Sequence, residues 1–358
     1  MGFLNFELAL AGALYAFALW VRMEGNRWRA PLFVPIGILV WLAHQSGWGV
    51  LGVMVFGYEW SRQERSAGRW AGLIRAGLAT WPLWLPLLPT ILASHEARGA
   101  FDYGKRPLKV KWAFWTQALR DRVRYIDYGT TILLLVLPAV AFWARRLDFR
   151  LAVGGVLILL LSLAIPRHLG GGDLADLRLI AVGLMLLALA IDWRPGWALM
   201  WLAVLPFVVR LAITSAVWTV HSANVGYMMK ALDLIPRGAR VAVAVREEVG
   251  LWAQPLYGHL GCYATLRRDA LVNNHFAIPG VHMLTLTPAA WKWVDPSHRI
   301  YARAGRSVKL SKFKPAKEAD YLWYFGKYAP ADLPAGAQVI FRSRHSLLAK
   351  LANPPIQR

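Results

Sequence analysis

Long apolar runs fill the first 220 residues, and charge returns in quantity only after His221. A helix needs about 20 apolar residues to cross the hydrocarbon core of a bilayer. The runs at 3–21, 31–58, 70–93, 130–144, 150–165, 177–193 and 196–218 therefore predict about seven membrane spans. The fold class that follows is a polytopic α-helical membrane bundle, residues 1–220, followed by a small α/β soluble domain, residues 221–358. The overall charged fraction of 17% agrees, because soluble domains average about 25%. The 19 tryptophans suit a chain with many water–lipid boundaries.

Individual runs carry interruptions. The segment 31–58 is long for one span and contains "WLAHQSGWG", which predicts a break near His44–Gly47. Pro82, Pro86 and Pro89 fall in the third run, and each removes a backbone donor, so kinks are expected there. Residues 3–21 lack a basic leader and a small-residue cleavage site, which predicts a retained helix. Residues 94–129 form a basic, aromatic-rich loop. Its stretch 112–125, with Trp112, Trp115, Leu119 and Val123 on one side, is either an interfacial amphipathic helix or an ordinary connecting helix.

The net charge is +21, of which +11 lies after His221 (19 Lys/Arg against 8 Asp/Glu). Such a balance suits anionic partners such as lipid phosphates. Nucleic acid is not expected, because no recognition helix, zinc ligand set or aromatic RNA-binding motif is present. Cys262 is the single cysteine, which leaves no intramolecular disulfide and no cysteine metal cage. With alternating loops, 22–31, 94–129 and 166–178 share a side with the C-terminal domain. They carry thirteen Lys/Arg against seven on the opposite side. That count by itself places the domain in the cytoplasm. Most of the excess sits in the one long loop.

After residue 224, "LIPRGARVAVAV" predicts a turn and a buried strand at 240–246. "ADYLWYFG" predicts a strand at 319–326, and 337–351 a strand that bends back as a hairpin. A helix around 226–234 leads in. The domain is expected to hold three to five strands.

Polar groups inside apolar segments are costly, and so are functional candidates. His44 can contact a substrate or cap a helix break. Glu7 can be a buried acid or reach the interface. Arg210 can meet a phosphate or Glu7, or snorkel to the surface. The richest stretch is "PRHLGGGDLADLRLI", 166–180. Gly170, Gly171 and Gly172 permit close backbone approach to a ligand. Arg167, His168 and Arg178 supply positive charge, and arginine's planar donors grip two phosphate oxygens at once. Asp173 and Asp176 can orient these groups or bind a divalent metal, or Asp176 can cap the next helix. The alternative is a flexible turn with solvated charges. No Walker loop, GxSxG elbow or HExxH motif is present. His259, His275, His282 and His298 lack metal-ligand spacing.

"GFLNFELALAGALYAFALW" and "WLAHQSGWGVLGVMVFGYEW" resemble consecutive spans of bacterial polytopic GT-C-type glycosyltransferases, with His44 in the matching place. "GGGDLADLRLI" resembles their Asp–Arg loop before a late span, with Arg178 matching the arginine near the lipid phosphate. "GCYATLRRDALVNNHFA" and "ADYLWYF" resemble the extracytoplasmic domain that closes some of these chains. The resemblance implies an inner-membrane enzyme that moves a sugar from a polyprenyl-phosphate donor, with the C-terminal domain outside the cytoplasm. It implies a substrate site of His44, Arg167, His168, Asp176 and Arg178, in which Asp176 orients Arg178. One departure matters. The family's general base is an acid in the first extracytoplasmic loop, and this chain resembles the family from several helices in, without that acid. Asp102 in "GAFDYGK" is a poor substitute. The expected alternative is a non-catalytic scaffold or accessory subunit that presents its C-terminal domain to a partner in cell-surface polysaccharide assembly. No cofactor is identified. A transporter fits less well, because no paired, broken segments recur in two matching halves.

Overall fold

A computed structural model describes residues 4–93, 101–169, 174–193, 196–250, 252, 256–274, 287, 299–328, 330 and 332–353. The chain divides into two compact units. One is formed by residues 1–119 with 125–202, and the other by 120–124 with 203–358.

The first unit is helical. α1 spans Leu4–Arg22, α2 Arg29–Ala43 and α3 Gln45–Ala67. His44 separates α2 from α3 in extended backbone, φ −170° and ψ 127°. Its Nδ1 accepts the Ser46 amide at 3.0 Å, so the side chain caps the start of α3. The two helices then run antiparallel. Arg29 and Glu59, each fifteen residues from His44 along the chain, meet at 3.1 Å. The segment 31–58 is therefore a hairpin folded at His44 and not one span. The fold-back carries the 22–29 connection to the opposite end of the unit from His44.

α4 (Arg69–Ala79) returns along α3. The expected proline kinks follow it. A 3₁₀ turn at Trp81–Leu83 holds Pro82, and the short α5 spans Leu87–Ala93. Indole donors pin this irregular stretch to the hairpin: Trp48 to the Leu83 carbonyl at 3.0 Å, and Trp41 to Thr90 Oγ1 at 2.9 Å. β1 (Phe101–Asp102) precedes α6 (Pro107–Thr116). The helix expected at 112–125 is displaced, because Pro107 starts α6 early and Gln117 ends it. α7 (Arg124–Trp143), α8 (Phe149–Ala164), β2 (His168–Leu169) and α9 (Ala175–Leu189) complete the unit.

Small residues set the helix spacing. A Cβ on Gly47 would lie 2.5 Å from Ala9 Cβ, and one on Gly57 would lie 2.7 Å from the Gly154 amide. α1 thus abuts α3, and α3 abuts α8, at backbone distance, as expected where helices pack without much hydrophobic driving force. Trp20, Phe33, Leu51, Met54, Tyr58 and Ile158 fill the core between them.

Among the described residues, three helices are long and apolar enough to cross a membrane: Leu4–Arg22, Arg124–Trp143 and Val204–Leu234. This is fewer than the seven expected. The shortfall has two sources. The His44 fold and the three prolines cut two runs into shorter helices, and α2, α8 and α9 hold only 15, 16 and 15 residues. At about 1.5 Å per residue such helices reach about 22–24 Å, short of the hydrocarbon thickness. Large apolar side chains on α7 (Ile132, Val136, Phe142) and on α8 (Val156, Leu160, Leu163) are exposed.

In the second unit, α10 (Trp197–Met229) continues through a 3₁₀ turn at Lys230–Leu234 into a mixed sheet. Its strands are β3 (Arg240–Glu248), β4 (Leu271–Val272), β5 (Arg299–Ala302), β6 (Tyr321–Phe325), β7 (Gln338–Arg342) and β8 (Ser346–Lys350). The order is β4-β3-β6-β8-β7. β5 also pairs with β3, beside β4 along one edge. β3 is parallel to β4, β5 and β6, while β8 is antiparallel to β6 and β7. The expected strands at 240–246 and 319–326 and the terminal hairpin are all present. The short strands β4 and β5 raise the count to six. β3 and β6 are buried on both faces, because α11 (Tyr263–Arg268) and the end of α10 cover one side and 308–319 the other.

Candidate functional site

The candidate site lies in the helical unit, at the end where α2 turns into α3. His44 sits in that turn. Arg178 rises from the first turns of α9, and its Nη1 lies 3.4 Å from His44 Nε2. Phe6 of α1 completes the group. Its ring meets the His44 imidazole edge-on at 5.4 Å, and the Arg178 guanidinium lies 5.8 Å from its centroid. A cation over an aromatic face is attracted by the ring quadrupole. Two residues 134 positions apart, both picked from the sequence, thus share one place.

Asp176 does something other than expected. Its Oδ2 accepts from Lys111 Nζ at 2.6 Å, and the same ammonium donates to the Ser162 and Ile165 carbonyls at 2.8 and 2.5 Å. Lys111 is 8% exposed and Asp176 1%. The carboxylate therefore balances a buried lysine through Oδ2. Two residues apart on a helix is about 200° around its axis, so Asp176 and Arg178 leave α9 on opposite faces.

The loops 94–129 and 166–178 do come together. β1 and β2 pair antiparallel, with Asp102 opposite His168 and Phe101 opposite Leu169. Tyr103 donates to the Ala164 carbonyl at 2.7 Å. Asp102 Oδ1 accepts the Gly104 amide at 2.8 Å, a local turn contact. Arg167 lies 6.0 Å from the Phe114 ring centroid, and its carbonyl accepts the Ala175 amide at 3.1 Å, tying the connection to the start of α9. Glycines 170–172 and Asp173 lie outside the described residues, as do His275, His282 and His298. Glu7 is exposed on α1. Among the described residues, no three His, Cys, Asp or Glu side chains gather as a metal site.

A second polar cluster occupies the other end of the helical unit. Fourteen residues of α1 separate Phe6 from Trp20, a rise of about 21 Å. There Glu59, fully buried, accepts from Trp20 Nε1 at 2.9 Å, Arg29 at 3.1 Å, Arg62 at 2.9 Å and Gln63 at 3.4 Å. Arg62 also donates to Glu24 at 2.6 Å, and Tyr58 donates to Glu24 as well. Arg29 stacks over Trp20 at 4.3 Å. Sequence reasoning missed Glu59 and Lys111. Lys111 was one of many cations in a basic loop. Glu59 follows directly on an apolar run that ends at residue 58. The only available signal was that Arg29 and Glu59 stand equidistant from the expected break at His44.

No family model, curated protein or solved structure matches the chain.

Proposed function

We propose that this is a membrane-embedded protein of the GT-C glycosyltransferase type, acting on a polyprenyl-phosphate-linked sugar in the bacterial inner membrane. The observation that carries the reading is the meeting of His44 and Arg178 beside Phe6. An arginine fork held at a helix start, next to an imidazole, is suited to a phosphate group at the lipid–water boundary. The buried Lys111–Asp176 pair fixes α6 against α9, and so fixes the helix that carries Arg178. Arg167 and His168 lie on the α8–α9 connection, stapled by the β1–β2 ladder. In this reading seven segments still pack within or across the bilayer, with the short helices relying on neighbours to cover their ends.

The hairpin at His44 bears on orientation. It moves Arg22, Arg27 and Arg29 away from the side of the long loop, so thirteen Lys/Arg against seven becomes ten against ten. The excess that argued for a cytoplasmic C-terminal domain vanishes. The loop charges then no longer oppose the extracytoplasmic placement that the resemblance implies.

A non-catalytic presenting subunit is the second reading, and one observation favours it. The acid nearest Arg178 in sequence, Asp176, is consumed by Lys111, and Asp102 holds a turn amide, so neither stands ready as a general base. The test is binding and turnover of a polyprenyl-phosphate sugar by the purified protein in nanodiscs. Binding that falls at least ten-fold in Arg178→Ala supports the site. Turnover sensitive to His44→Ala supports the enzyme. Binding without turnover moves the protein to the presenting role, and unchanged binding in Arg178→Ala removes the site.

A further inference from the structure

The sheet-bearing unit holds a separate group of hydrogen-bonding side chains around Arg122, which the reading above does not use. Four of its segments converge there. Arg122 comes from 120–124 and His221 from the last third of α10, and Arg122 Nη1 lies 2.9 Å from His221 Nε2. His345 sits at the tip of the β7–β8 hairpin, where its carbonyl accepts the Gly326 amide at 2.9 Å. Its imidazole lies against the Tyr257 ring, with centroids 6.2 Å apart. Tyr257 feels the charge of Arg122, and His345 feels those of Arg344, His221 and Lys327.

The charges acting on His345 are all positive. The nearest acid in sequence, Asp121, accepts from Thr214 Oγ1 at 2.5 Å, about two helical turns before His221 on α10. Among the described residues, His221 Nδ1 and His345 Nδ1 are both buried and meet no hydrogen-bond partner. Buried polar atoms left unsatisfied are uncommon, and each calls for a ligand or another cause. Burial first, and the neighbouring positive charges second, push the His345 pKa down, and an arriving anion would offset both.

We propose that Arg122, His221, Tyr257 and His345 form an anion site for a phosphate monoester. Arginine's planar fork grips two oxygens of a tetrahedral anion, and imidazole and phenol donors reach the others. Lys327 and Arg344 add long-range attraction from the rim. His221 lies just past the exposed apolar stretch of α10 that includes Phe207, Leu211, Trp218 and Val220. The phosphate can belong to a lipid headgroup or to a soluble phosphate, and the chemistry is the same. The site does not depend on sugar transfer.

The test uses the full chain in an Arg178→Ala background, so that the helical-unit site does not contribute. Inorganic phosphate is titrated calorimetrically in neutral detergent. Phosphatidic acid retention is counted by native mass spectrometry from phosphatidylcholine nanodiscs. The parent should bind at least one probe. Arg122→Gln and His345→Gln should each weaken that binding at least five-fold, and Arg122→Lys should weaken it less. Lys350→Gln, at the opposite end of β8 from Ser346, should leave it unchanged. Loss confined to phosphatidic acid assigns the site to a lipid headgroup, and loss with inorganic phosphate assigns it to a soluble phosphate. If the parent binds neither probe, or if both Gln variants and Arg122→Lys bind as the parent does, the proposal is overturned. Arg122→Lys keeps the charge and so decides the matter even if Arg122→Gln fails to fold.

Discussion

The two polar ends of the helical unit differ in how their charges are balanced. At the Glu59 end, two acids face two arginines, and an indole, a phenol and an amide take up the remaining oxygens. Trp20 of α1 and Arg29 of α2 both meet Glu59 of α3, so the network joins the three helices. At the His44 end, Asp176 is spent on Lys111, and Arg178 is set against an imidazole and an aromatic ring. A closed, balanced network resembles a clasp. A cation set beside an imidazole and an aromatic ring resembles half of a binding site. The same kind of residue, arginine in an apolar setting, thus has two different roles, told apart by what faces it.

That contrast can be broken experimentally. Glu59→Ala has the largest expected effect. It strands the largely buried Arg29, while Arg62 keeps Glu24, and removing one partner of a buried ion pair costs about 3–5 kcal/mol. A large fall in the thermal midpoint, measured in detergent, is the expected outcome, with phosphate-lipid binding retained per folded molecule. Lys111→Met leaves Asp176 unpaired and should cost about 3 kcal/mol. The double variant Lys111→Met, Asp176→Leu should recover part of that loss, because the stranded charge is then gone. No recovery would mean that the pair holds α6 and α9 by more than mutual neutralisation. Arg178→Ala should do the reverse of Glu59→Ala. Its stability should stay within about 1 kcal/mol while binding falls ten-fold, which is about 1.4 kcal/mol of binding free energy.

The smallest effect sharpens the comparison from the other unit. In the sheet unit, burial tends to raise the Asp320 pKa. Hydrogen bonds from the Arg240 side chain and amide outweigh this and hold it below its ordinary 3.8. A carboxyl depressed on folding adds stability above its unfolded pKa and loses it as pH falls through the folded one. The pair should therefore stabilise the sheet fully near neutrality, and the contribution should fade below pH 3.8. Asp320→Asn should cost about 1 kcal/mol at pH 7 and flatten the acid limb of a near-UV denaturation curve. An unchanged acid limb would show that Asp320 and Arg240 are not coupled in the fold.

Much of this organisation was legible in the chain. The break at His44, the prolines in the third run, the lead-in helix and the three principal strand regions follow from local rules, because turn residues and alternating or continuous apolar runs act over a few positions. The pairing of His44 with Arg178 was legible only as two separate candidates. What stayed hidden was direction. A break near His44 can bend a span or reverse it, and only the Arg29–Glu59 contact selects reversal. The partner of Asp176 was hidden for a similar reason. Arg178 is nearer in sequence, but helical phase turns it away, and Lys111 arrives from 65 residues upstream. The burial of Glu59 was hidden by the same long-range step, since Trp20 of α1 and Arg29 of α2 close over it.

The most direct measurement is the affinity of a polyprenyl-phosphate sugar for the wild-type chain, Arg178→Ala and Glu59→Ala in matched nanodiscs, each normalised to folded protein. The account predicts at least a ten-fold loss for Arg178→Ala and none for Glu59→Ala. Equal losses in both, or none in either, would contradict the division between a binding end and a structural one.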